Sequence, residues 1–186
     1  MFLKIINKGR GNCMNFYTID SIKHPYFKEA WHLYESAFPK NEKRTLYEQE
    51  QTLQKKEYSF LALYEQKSFI GILGFWNIQE YIFIEHFAIN PNLRGQNYGS
   101  KILTDFLHPL ENIFLEIEPP LCLTTQRRLN FYENLGFIQN NIKHFQVPFR
   151  KNGSLLPLTL LSFQTPILPN DYERLYFAMK KSLPIF

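Results

Sequence analysis

Leu93-Arg94-Gly95-Gln96-Asn97-Tyr98-Gly99-Ser100 has the make-up of an anion site. An apolar run ending at Ile89 leads into it through Asn90-Pro91-Asn92, and helical spacing follows. A strand, a glycine-bearing loop and a helix N-terminus together gather backbone N–H groups that have no intrahelical partner, and the helix dipole favours negative charge there. Gly95 and Gly99 lack the Cβ atoms that would hold a phosphate away, and both permit left-handed backbone. The stretch is neither a G-x-x-x-x-G-K-[ST] loop nor a G-x-G-x-x-G fingerprint with an acidic residue ~20 positions on. A plain strand-to-helix turn has the same outline, so at this level both readings stand.

Carboxylates supply the other chemistry. Glu85 lies in Ile82-Phe83-Ile84-Glu85-His86-Phe87, and by strand alternation it shares a face with Phe83, Phe87 and Ile89. A carboxylate among aromatics is costly without a partner or a role. Glu116 and Glu118 are expected on one face of the next strand, opposite Ile113, Leu115 and Ile117; a solvated face and a working one fit equally. Arg127-Arg128 could meet an anion, although adjacent arginines opening a helix are usually solvated. His24, His32, His86, His108 and His144 show no metal-ligand spacing, and Cys13 and Cys122 form no C-x-x-C pair.

The elements that would position these residues can be read from periodicity. Residues 16–19 suggest a short strand. Phe27, Ala30, Trp31, Tyr34, Ala37 and Phe38 then recur at helical spacing behind Pro25. Residues 41–56 are polar, with only Leu46, Tyr47 and Leu53 to bury, and predict a loosely attached helix. Strand-like runs at 58–64, 69–76 and 81–89, joined by turn-sized links, predict an antiparallel meander. A helix over 98–107, a strand over 113–118, a helix over 125–135 and a strand pair at 137–147 and 156–163 follow. A last helix is expected behind Asn170 and Asp171, with Tyr172, Leu175, Tyr176 and Met179 inward. The pattern predicts one mixed α/β domain over residues 14–186. Lys8-Gly9-Arg10-Gly11 ahead of Met14 looks like a translated ribosome-binding site, so residues 1–13 are expected to be a non-native extension.

With 45% hydrophobic and 17% aromatic residues, the chain has the material for a packed core, which excludes a disordered composition. No stretch approaches the ~20 apolar residues of a membrane span. Two cysteines exclude a disulfide scaffold and favour a reducing cytoplasm. The net charge of +4 is spread over short clusters with no sustained basic stripe, so a nucleic-acid partner is disfavoured.

Phe87-Ala88-Ile89-Asn90-Pro91 followed by Arg94-Gly95-Gln96-Asn97-Tyr98-Gly99-Ser100 resembles the acetyl-CoA loop of the GNAT acetyltransferases, [QR]-x-x-G-x-[GA]. Arg94 matches the first position and Gly99 the last; Asn97 stands where the family has its middle glycine. Asn is the non-glycine residue that best tolerates left-handed backbone. Asn130-Phe131-Tyr132-Glu133-Asn134-Leu135-Gly136-Phe137 resembles the late signature of the same superfamily.

The resemblance implies a mixed central sheet of about six to seven strands flanked by helices, with a C-terminal helix. It further implies acetyl-CoA as cosubstrate, no metal, and direct transfer of an acetyl group to a primary amine on a small molecule or peptide. Pyrophosphate would rest on the loop, Phe87 and Ile89 would offer backbone groups to pantetheine, Glu85 or Glu118 would free the amine, and Tyr132 would protonate the leaving thiol. Glu116 could instead hold the amine. A homodimer is compatible with it, and a membrane is not called for. Two other readings remain at this level: a CoA-binding module without catalysis, suggested by Asn97, and a basic nucleic-acid-binding domain.

Overall fold

The computed structural model describes residues 14–153 and 155–186; the expected extension at residues 1–13 lies outside them. The chain is mixed α/β. Its strands are β1 (Met14–Thr18), β2 (Tyr58–Glu65), β3 (Ser68–Ile78), β4 (Tyr81–Ile89), β5 (Ile113–Ile117), β6 (Phe137–Gln139), β7 (His144–Phe145) and β8 (Pro157–Phe163). Its helices are α1 (Phe27–Ala37), α2 (Leu46–Leu53), α3 (Tyr98–Leu107), α4 (Leu123–Glu133) and α5 (Pro169–Ser182). The strand order is β1-β2-β3-β4-β5-β8-β6, with β7 paired to β8 off that path. Eight strands appear rather than six to seven because the expected run over 137–147 breaks into β6 and β7. Asn140 sits just past β6: its N–H still donates to Leu160 O (3.0 Å), while its buried side chain donates to Leu160 O (3.2 Å) and Ser162 Oγ (3.0 Å) and accepts from Ile167 N (2.8 Å).

The chain forms two compact units, one holding residues up to Phe75 with His86–Pro109, the other Trp76–Glu85 with Leu110–Phe186. In the first, β1 pairs antiparallel with β2, Met14 opposite Glu65 and Thr18 opposite Leu61. Helix α1 buries Phe27, Ala30, Leu33 and Tyr34. Helix α3 buries Ile102, Leu103, Phe106 and Leu107, with Phe106 on Phe75 at 5.1 Å between ring centres.

Helix α2 corrects the expectation of a loosely attached element. Leu46 and Tyr47 are exposed, while Arg44, Glu48, Gln49 and Thr52 are buried. Polar residues go inward because each finds a polar or aromatic neighbour. Thr45 and Glu48 close a reciprocal capping box, Arg44 N donates to Tyr34 Oη (2.8 Å), Gln49 Nε2 donates to Tyr58 Oη (3.3 Å), and the Arg44 guanidinium lies over the Tyr58 ring (5.5 Å). Hydropathy counting misreads such a helix, because buried polar groups that find partners cost little, although Gln49 Oε1 finds none among the described residues.

In the second unit, β4 pairs parallel with β5 at Ile82↔Ile113, Phe83↔Phe114 and Ile84↔Leu115. Strand β8 lies antiparallel to β5, β6 and β7. Helix α4 begins two residues earlier than its pattern suggests, because Cys122 and Thr125 form a capping box. Helix α5 likewise begins at Pro169, without a side-chain cap from Asn170 or Asp171; proline is preorganised for that first position. Leu175, Ala178 and Met179 face inward, with Tyr172 and Tyr176 half-buried. Among the described residues no helix is long and apolar enough to cross a membrane.

Candidate active site

In the first unit the expected anion loop forms as a strand, a turn and a helix start. Beyond β4, Asn90 accepts from Asn92 N (3.1 Å) and opens a short 3-10 turn, Pro91–Leu93. Arg94 Nε donates back to Ile89 O (3.3 Å), which fixes the loop to the strand end. Gly95 (φ +77°) and Asn97 (φ +63°) take left-handed backbone just before α3. Asn97 thus supports the conformation for which the family uses glycine. Gly99 does not use that freedom: it lies in the first turn of α3, so its lack of a side chain is what matters there. The first bond of the helix runs from Lys101 N to Asn97 O (3.1 Å), so the N–H groups of Tyr98, Gly99 and Ser100 precede the helical ladder and are available to an anion. No atom lies within 4 Å of where a Cβ on Gly95 would stand. Residues 94–97 are exposed and 98–100 half-buried. Gln96 Nε2 donates to Asn92 O (3.2 Å).

Glu65, at the end of β2, holds the helix start. It accepts from Tyr98 Oη (2.9 Å) and Lys101 Nζ (2.8 Å). Lys101 first, then Tyr98, hold its carboxyl below the usual range. Lys101 also offsets a negative charge that would otherwise oppose an anion at the loop.

Ahead of the loop, Ala88 is buried and Phe87 and Ile89 are half-buried. A residue that sequence reasoning passed over controls this stretch. A Cβ on Gly71 would stand 2.3 Å from Ala88 O and 3.2 Å from Ile89 Cα, so β3 approaches β4 where only glycine fits. A glycine inside a strand is itself the sequence signal for such close approach. Gly71→Ala is expected to push the Ala88–Ile89 backbone aside at about 1–3 kcal/mol, lowering Tm by roughly 2–10 °C and weakening CoA binding. A calorimetric melt and a CoA titration check both effects. His86 is buried, its Nε2 lies 2.9 Å from Glu42 O, and its ring meets Tyr34 and Phe38 edge to face.

The second unit holds Glu85, Glu118 and Tyr132. The β4–β5 ladder ends at Ile84↔Leu115, and Glu85 is the next residue of β4, half-buried. Glu118 lies one residue past the end of β5, which stops at Ile117, and reaches Arg128 on α4 in an ion pair. Glu116 faces elsewhere, toward β7 and α5: its Oε1 lies 2.6 Å from His144 Nε2, and His144 Nδ1 lies 3.0 Å from Tyr172 Oη. That pairing was not legible in sequence, because nothing in the spacing of residues 116, 144 and 172 marks them as neighbours. Arg127 is exposed.

Tyr132 closes the last turn of α4 with its ring edge-on to Phe131 (5.1 Å) and Phe137 (5.6 Å). It is 9% exposed. Burial pushes its phenol up to about 12, against a smaller opposing effect of Arg128. No described residue hydrogen-bonds its hydroxyl. Among the described residues no cluster of His, Cys, Asp and Glu could hold a metal ion.

Known proteins give a consistent picture. A Bacteroides thetaiotaomicron protein assigned to the GNAT acetyltransferases superposes with a TM-score of 0.82 at 27% identity, over 89% of this chain and 95% of that one. The ribosomal-protein-S18-alanine N-acetyltransferase of Escherichia coli (TM-score 0.55, 15% identity, 85% and 97% covered) shares the fold. So does a spermidine N-acetyltransferase variant of Vibrio cholerae (0.58, 13%, 80% and 94%). No functionally curated relative matches the sequence. The acetyltransferase (GNAT) family pattern matches residues 24–137, across both the anion loop and the Tyr132 helix, and the chain belongs to that family.

Proposed function

We propose that the chain, from Met14 onward, is an acetyl-CoA-dependent N-acetyltransferase that moves an acetyl group to a primary amine by direct transfer in a ternary complex. The observation that carries this reading is the loop: left-handed Gly95 and Asn97 feed a helix start whose N–H groups precede the helical ladder. Those donors, with Arg94, Gln96 and Ser100 around them, suit the pyrophosphate of CoA. The cosubstrate supplies an activated acyl group on a thiol leaving group. Backbone groups of Phe87 and Ile89 bind the pantetheine arm, Glu85 takes the proton from the amine, and Tyr132 donates one to the thiolate. Glu118 is the lesser base candidate, since it holds a guanidinium that it would have to release to take a proton. Exposed Cys122, free among the described residues, suits a reducing cytoplasm. At 13–15% identity the Escherichia coli and Vibrio cholerae neighbours, whose names give a protein alanine and spermidine as acceptors, support the fold and no particular acceptor.

Selective binding to the folded state raises Tm. CoA at a hundred times its Kd adds about 2.7 kcal/mol, or roughly 5–10 °C for a chain of this size. Differential scanning fluorimetry with CoA reads this directly, and an unchanged Tm at millimolar CoA removes the acetyltransferase reading.

A further inference from the structure

As an acid, Tyr132 must lose a proton that burial makes hard to lose, so the charges around it matter. Helix α4 packs mainly against β5 and β6. Strand β6 brings Phe137 and no titratable side chain. From the side of β5 come Glu116, which meets His144, and Glu118, just past the strand, which meets Arg128. Helix α4 itself carries Arg127, Arg128 and Glu133. Of these groups Arg128 acts on the phenol, opposing the larger effect of burial.

Its placement accounts for that effect. Arg128 precedes Tyr132 by four residues, so the two side chains lie on one face of α4, a turn apart. A guanidinium is not deprotonated in a protein, so this charge is constant. Glu118 anchors it from outside the helix: the ion pair ties the long arm of Arg128 to the end of β5. The two side chains are 44% and 34% exposed, so water screens the charge and its effect on the phenol is modest.

We propose that Arg128, held by Glu118, is a positioning residue for the acid step: its charge favours the phenolate that Tyr132 becomes. Tyr132 gives its proton to sulfur as the carbon–sulfur bond breaks and the electron pair of that bond goes to sulfur. The phenolate left behind regains a proton from water. Arg128 lowers the cost of that state, while Phe131 and Phe137 pack the ring. The proposal rests on the acetyltransferase reading, with Tyr132 as its acid, and adds the residue that sets how good an acid it is.

Carbon-13 NMR of protein labelled at tyrosine Cζ reads the phenol without turnover. At about pH 11 roughly a tenth of the Tyr132 phenol is ionised in wild type. Its signal, identified by its absence in Tyr132→Phe, is expected to move less toward phenolate in Arg128→Gln. In steady-state kinetics Arg128→Gln is expected to lower kcat about three- to fivefold, with the Kd for CoA within about twofold of wild type. Arg128→Lys keeps the charge and is expected to stay within about twofold of wild type in kcat. Added to Tyr132→Phe, Arg128→Gln is expected to change nothing further, since the group it acts through is gone. A loss of the same size in both backgrounds, or a Tyr132 signal that ignores Arg128→Gln, overturns the positioning role. A Tyr132 signal that responds to Arg128→Gln, in a protein that transfers no acetyl group to any amine, overturns the acetyltransferase reading instead and leaves the coupling of the two residues standing.

Discussion

Tyr132→Phe is expected to lower kcat by about a hundredfold or more, with the Kd for CoA within about twofold of wild type. The substitution removes one oxygen from a ring that packs edge-on against Phe131 and Phe137, so the packing of α4 stays intact. What it removes is a phenol that burial has pushed up to about 12 and that no described residue hydrogen-bonds. Such a group stays protonated across the working range, which a proton donor needs. It is also a reluctant acid, and a thiolate in water would not take its proton readily. The same desolvation raises the proton affinity of a thiolate that develops beside it, which narrows the gap. Positioned acids typically contribute ~10²–10⁴-fold. If the proton moves in the transition state, kcat and kcat/KM for the amine fall together. Steady-state kinetics with any amine that is turned over decides it: wild-type rates in Tyr132→Phe make the tyrosine a packing residue. A melt within about 2 °C of wild type shows that the fold is unchanged.

How much of this was visible beforehand depends on the range of the interaction. The backbone of the 93–100 loop was legible because its signal is local: a strand, two glycines and a helix start lie within twenty residues. Even the left-handed Asn97 followed from residue chemistry. Tyr132 was legible only through the motif around it, because a tyrosine at a buried helix position reads equally as core. Helix α2 was misjudged because burying Arg44 and Gln49 depends on partners brought by other elements, Tyr34 on α1 and Tyr58 on β2. The Glu116–His144–Tyr172 chain escaped for the same reason, since three strands or helices must converge before it exists. Glu118 was expected inside the strand, but β5 ends one residue earlier, at Ile117. Gly71 could have been read as a site of close approach, but the partner it approaches, Ala88 O, belongs to another strand.

Glu85→Gln is expected to lower kcat/KM for the amine by about 10²–10⁴-fold at pH 7 and to regain activity as pH rises. An alkyl ammonium titrates near 10.4, so at pH 7 nearly all of the acceptor is protonated and needs a base before it can attack. The amide introduced by the substitution can accept a hydrogen bond but not a proton, so the variant must wait for the small free-amine fraction. That fraction grows about tenfold per pH unit below the amine's own pKa, so the variant should gain roughly a hundredfold between pH 7 and pH 9. The wild-type profile should be flatter over the same window. Tyr132 does not confuse the comparison, because a phenol pushed up to about 12 stays protonated throughout it. Glu118→Gln is the control: Glu118 is paired with Arg128, so its loss should leave the pH profile close to wild type. A steep alkaline rise in Glu118→Gln, with a flat profile in Glu85→Gln, would move the base from β4 to the residue just past β5. Equally steep profiles in wild type and both variants would mean that the amine loses its proton to solvent before it reaches the enzyme.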